Sequence, residues 1–290
     1  MNQSTREAAL RSRFAQAECL ATEIAHVRNE WRLDRHPFLR RWIAGELTAL
    51  DLQLFAAEHH HAVMALEDVG RRAAALSDGL LAEQLVAYAE AHVQAVTLSC
   101  DFASATGWGR SAWYFAQDPL AQTVACARAW TGQPSSLAEH LVTIQAVESS
   151  LGQLAPRQVG ALVEHYGFDM DSARYFACLA ERAAGNAALG EAALTSLLPL
   201  VSPRVLVRQA ETACRSYLDL LDGVQMLSER SSGLLIGSIR GQGSRVGAGA
   251  GGRAGWRRRL SASGGGSPEP ARESGCAGER ERLRRRATVC

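Results

Sequence analysis

No lysine occurs in the 290 residues; all 31 basic side chains are arginine. Schiff-base chemistry is therefore excluded, and the bias reads as GC-rich coding rather than as a functional choice. The seven cysteines, Cys19, Cys100, Cys126, Cys178, Cys214, Cys276 and Cys290, include no CxxC pair. That rules out zinc-finger spacing and gives no support to a disulfide framework; isolated cysteines of this kind are expected to be small buried hydrophobes. No apolar run approaches the roughly 18 residues that span a bilayer. The start of the chain, MNQSTREAALRSRFAQAE, has no secretory apolar region. A soluble, cytoplasmic protein with no membrane partner is expected. Gly-rich phosphate loops, HExxH and GxSxG are absent too.

What the chain does hold is helix-forming sequence, with apolar residues at 47%. From about residue 3 to 228, Ala, Leu, Glu and Arg dominate and no period-2 alternation persists. His36-Pro37 is expected to stop the first helix, because the residue before proline is pushed out of the α region. Thr48 with Asp51 opens a long helix to about Leu76, and Ser77-Asp78-Gly79 breaks it before another that runs to Gly107. GWGRSAWYFAQDP reads as a connector. Helices are expected over about 118–131 and 136–153, the second opened by a Ser136/Glu139 capping box. Pro156 fits a first-turn proline and Gly167 a helix stop. Further helices cover about 170–186 and, from Ser202-Pro203, to about Met226. Seven or eight helices with short links make an all-α bundle over residues 1–229.

Charge divides the chain at the same place. Residues 230–290 carry 13 Arg and 4 Glu, whereas residues 1–229 carry 18 Arg and 26 acids. The C-terminal part is Gly-, Arg- and Ser-rich with almost nothing to bury, so it is expected to be a disordered tail. Its Arg clusters could meet anionic surfaces, but without an accompanying fold no nucleic-acid partner is expected.

Three consecutive histidines stand in the apolar helix LFAAEHHHAVMALEDVG. At 100° per residue they cannot converge on one centre. His59, between Phe55 and Ala62, is the best inward candidate, more readily a buried histidine with one partner than a ligand. His60 points to a different face, and Glu58 with His61 has the helical Glu-x-x-His spacing of carboxylate-bridged metal bundles. Acids also sit on apolar faces. Glu83 and Glu90 lie two turns apart beside His92, and Glu148 stands within LVTIQAVESSLGQLAP. A carboxylate on an apolar face needs a partner or a metal. Tyr175 is a polar group near an expected helix interface.

Several pieces in order resemble the TenA/PqqC family, the heme-oxygenase-like helical bundle. They are HPFLRRWIAGELTALDLQLFAAEHHHAV, VESSLGQLAP, EHYGF, YFACLAERA and SYLDLLDGVQML, spread over about residues 36–226. The resemblance implies an all-α, heme-oxygenase-like fold of seven to eight helices around a central pocket, without implying haem. Relatives include PqqC-like oxidases that use no cofactor, TenA hydrolases of aminopyrimidines, and di-iron oxidases. Glu148 matches a di-iron ligand by its interval before Gly167. The three ligand positions counted from Tyr175-Phe176 hold Leu179, Ala183 and Asn186, and Leu179 also replaces the Arg of the PqqC YFxxR block. Where relatives carry Tyr-Tyr, this chain has His59-His60, so one of the two is expected to face the pocket.

A divergent PqqC-like oxidase or oxygenase of cofactor or specialised-metabolite synthesis is the leading expectation. Its catalytic candidates are Glu148, His59, His60 and Tyr175. Glu148, His59, Glu83, Glu90 and His92 form an incomplete metal set, so the cofactor is either iron or none. A TenA-like hydrolase and a ligand-depleted binding or assembly protein are the alternatives. The partners expected are a small-molecule substrate and a second copy of the chain.

Overall fold

A computed structural model describes residues 3–107, 118–132, 136–197 and 201–241, with side chains described for most of them. The described residues form eight α-helices and no strand. They are α1 (Gln3–Glu30), α2 (Pro37–Ile43), α3 (Ala49–Ala75), α4 (Gly79–Ala105), α5 (Ala121–Thr131), α6 (Leu137–Tyr166), α7 (Arg174–Leu197) and α8 (Pro203–Gly241). A 3-10 turn, Leu33–Arg35, separates α1 from α2. None is long and apolar enough to cross a membrane.

Local chemistry sets the helix ends. Thr48 and Asp51 form a reciprocal capping box at α3, and Ser136 and Glu139 form another at α6. Asp51 does more than cap: it also meets Arg41 and accepts from Ser228 Oγ of α8. Gly167 ends α6 in the left-handed region at φ 71°, a conformation that costs glycine little.

Long helices pair into two hairpins, α3 with α4 and α6 with α7, and α8 packs across α1, α3, α5 and α6. Between them lies an aromatic core in which Phe55 stacks on Phe38 and meets Trp42 edge-on. Trp42 in turn packs against Phe102 and Phe176. The Tyr166 hydroxyl donates to the Trp42 carbonyl and accepts from Leu47 N–H, 3.0 Å each, locking the α2–α3 link onto the end of α6. Cys126 and Cys214 are buried and their thiols are pushed up by burial, to about 12 and about 11, so they behave as inert apolar fillers.

Several boundaries differ from the sequence reading, and the helix expected over about 170–186 runs on to Leu197 as α7. The first helix ends at Glu30, and His36-Pro37 opens α2 instead, with His36 Nδ1 accepting from Phe38 N–H and Pro37 at the first position. Pro156 sits inside α6 rather than at a start. Buried Leu151, Leu154, Ala155 and Gln158 run on both sides of it, and that packing carries the helix past the missing hydrogen bond. The last helix continues to Gly241, beyond residue 229 where the tail was expected to begin. Residues 242–290 lie outside the described residues, as does most of the GWGRSAWYFAQDP connector.

Candidate active site

One face of α4 builds half of the site. Tyr88 and His92, four apart, point into the bundle with Leu85, Ala89, Ala95 and Val96. His92 Nδ1 lies 3.0 Å from the Tyr88 carbonyl, an acceptor only, so this nitrogen carries a proton. From α6, Glu148 meets this face at 0% exposure. Its Oε1 accepts from the Tyr88 hydroxyl at 3.1 Å and lies 3.0 Å from His92 Nε2. The pair is bent from ideal hydrogen-bond geometry, and Nε2 counts among the buried atoms without a well-formed partner.

Glu148 Oε2 also lacks a partner, as do the nearby Asn186 Nδ2 and Arg182 Nε of α7. Burial pushes the Glu148 carboxyl up, but His92, Arg182 and Asn186 together hold it below its ordinary value. Arg182 is anchored by Nη1 donating to the Ala91 carbonyl at 3.0 Å, which ties α7 to α4. Arg182 and Asn186 are half-buried, so the α7 side of the cluster is the part nearest solvent.

A second layer adjoins it. His59 of α3 is buried between two hydroxyls, Tyr175 on Nε2 at 2.8 Å and Tyr217 of α8 on Nδ1 at 2.9 Å. It stacks on Phe55 with ring centroids 4.8 Å apart. Burial pulls its pKa down to about 3, so the ring is neutral. Burial pushes the Tyr175 hydroxyl up, the Arg182 cation pulls it down and the Glu148 charge adds a smaller push upward.

The structure thus joins Glu148, His92, His59 and Tyr175 of the sequence candidates and separates the others. Glu83 and Glu90 are exposed, because Leu85, Tyr88 and His92 occupy the inward side of α4 and these acids lie opposite. His60 turns to the α3–α4 seam, where Nδ1 meets Ser99 Oγ at 2.7 Å. Glu58 accepts from Leu120 N–H and Thr123 Oγ1 and so caps α5, apart from His61. Tyr88, Arg182 and Tyr217 were not foreseen. Tyr88 was legible as the residue one turn before His92, and Arg182 as a cation one turn after Leu179.

A di-iron centre does not fit these side chains. Among the described residues no three His, Cys, Asp or Glu converge on a possible metal position. Leu179 and Ala183 are buried and offer no donor. Asn186 alone of the three substituted positions presents a polar group to Glu148.

No family model matches the chain, and no curated protein matches its sequence. Solved structures do. A TenA homologue from P. horikoshii OT3 superposes with TM-score 0.60 at 12% identity, covering 71% of this chain and 96% of its own. A TenA homologue from Pseudomonas syringae pv. tomato gives 0.60 at 10%, covering 72% and 92%. A domain of unknown function with a heme oxygenase-like fold, from Shewanella denitrificans, gives 0.53 at 14%, covering 81% and 98%. Such identities speak for fold alone. The chain has the heme-oxygenase-like fold of the TenA homologues, as its ordered motifs led us to expect.

Proposed function

We propose that this protein is a small-molecule enzyme in which the buried Glu148–His92 pair moves a proton on the bound substrate. The observation that carries the reading is the contact of His92 Nε2 with Glu148 Oε1, 3.0 Å apart and out of water. A group poised to take and return a proton is what general acid–base catalysis needs. Hydrolysis of a C–N bond in an aminopyrimidine-like molecule suits it. The pair takes a proton from attacking water, the C–N bond breaks, and the proton goes to the leaving nitrogen. A PqqC-like oxidase, the leading expectation from the motifs, is the second reading, and the substituted Leu179 weighs against it. The small-molecule partner and the homodimer expected from the family belong to this same reading.

The test follows ammonia release and oxygen uptake together over a panel of aminopyrimidines. Ammonia release, reduced at least about a hundredfold in Glu148→Gln while the far-UV spectrum is kept, supports the reading. Oxygen uptake without ammonia supports the oxidase. Tight binding without turnover leaves a binding protein.

A further inference from the structure

A cavity of about 190 Å³ opens where the end of α1 and the 3-10 turn meet α6, and no residue of the Glu148 cluster lines it. Ser150, Gln153 and Arg157, at intervals of three and four along α6, form one wall. Arg28 and Arg32, four residues apart, face them, and the buried side chains of Leu33 and Leu154 lie between. Three guanidiniums thus line the cavity against one carboxylate, Asp34. Arg32 already engages that acid: Oδ1 accepts from its Nε at 2.8 Å and Oδ2 from its Nη2. Arg157 Nη1 stands 3.6 Å from Oδ2, too far for a hydrogen bond. The Arg32 hydrogen bonds, with the charges of Arg157 and Arg35 added, hold the Asp34 carboxyl below its ordinary value, as expected of an acid outnumbered by cations. Arg28 has neither an ion pair nor a hydrogen bond among the described residues, and its Nε is buried.

A half-buried cation that meets neither acid nor acceptor is costly, and here the fold sets two more cations beside it. An anion entering the cavity offsets that cost. We propose that the cavity is a binding site for a phosphate group, either the free ion or the end of a small phosphomonoester. Guanidinium forks match phosphate oxygens, and a phosphate at neutral pH carries about −1.5 to −2 charge, close to what Asp34 leaves unbalanced. A single carboxylate would balance only half of it. The Gln153 amide adds N–H donors on the same wall. The volume lies below the roughly 300–1,000 Å³ of sites for drug-sized ligands, so the occupant is a small anion. Arg32 and Arg157 are the more exposed pair, so they meet the ion from the solvent side while Arg28 holds it against the protein. This site does not depend on the acid–base reading of Glu148.

Calorimetry of the full chain with sodium phosphate, at ionic strength held constant with chloride, tests the site. The expected result is saturable binding of one phosphate per chain. Arg28→Met, which keeps the apolar stem, and Arg157→Gln should each weaken it by about tenfold, the loss of one charged hydrogen-bonding group. Arg157 makes no hydrogen bond among the described residues, so its variant reports on binding even where Arg28→Met fails to fold. Gln at Arg257, Arg258 and Arg259 together should leave the affinity unchanged. Glycerol 3-phosphate separates the two sources: binding as tight as that of inorganic phosphate supports an ester end, and its rejection supports the free ion. Acetate binding as tightly as phosphate, or no saturable phosphate binding, overturns the proposal. So does unchanged affinity in Arg157→Gln, or a loss confined to the triple variant, which would put the ion on the C-terminal arginines.

Discussion

Protonating the buried His59 ring would place a charge between two tyrosines with no acid against it. The folded chain keeps it neutral down to about pH 3, while the unfolded chain takes the proton near 6.5. Between those values the unfolded state binds more protons, so the His59 contribution is present above 6.5 and lost as pH falls toward 3. The slope is at most about 1.4 kcal/mol per pH unit. Urea midpoints measured from pH 7 to 4 should decline, and His59→Gln should flatten that decline; an unchanged decline contradicts the assignment. Glu148 acts lower: its depressed folded value gives stability above about 4.5 that is lost on further acidification. Glu148 was legible in sequence because an acid among apolar neighbours demands a partner. Glu83 and Glu90 were misplaced because a seven-residue interval shows which residues share a face, not which face turns inward. On α4 the apolar pattern gave little help, since Leu80 and Val86 are exposed.

At the scale of elements, the close pairing of α6 with α7 holds the site together. Gly152 permits it, since a Cβ there would come within 2.3 Å of the Ala183 Cβ. Gly152→Val should push the helices apart and cost roughly 1–3 kcal/mol in denaturant unfolding. It should also lower ammonia release, because Asn186 lies one turn from Ala183. A variant of unchanged stability and activity would mean that the approach is not needed. Ser136→Ala, which removes half of a capping box, should cost about 1 kcal/mol and leave ammonia release alone. Caps such as Thr48/Asp51 and Ser136/Glu139 were readable because they are local. Pro156 was misread because long-range burial overrides a local breaker signal, and the partners of Glu148 come from helices distant in sequence.

For the whole molecule, the order of motifs gave the architecture, and the superposed TenA homologues share it at 10–12% identity. At its centre Leu179 and Ala183 offer no donor to a metal. Protein expressed in iron-rich medium should therefore carry well under one iron per chain by elemental analysis. One or more irons, lost in Glu148→Ala, would contradict the account. The most direct test of the buried acid–base pair is carbon-13 NMR of protein labelled at the glutamate side-chain carboxyl, titrated from pH 8 to 3. The account predicts that the Glu148 carbon, identified by its loss in Glu148→Gln, stays at the ionised position below about pH 4.5. A carboxyl already protonated at neutral pH would contradict it.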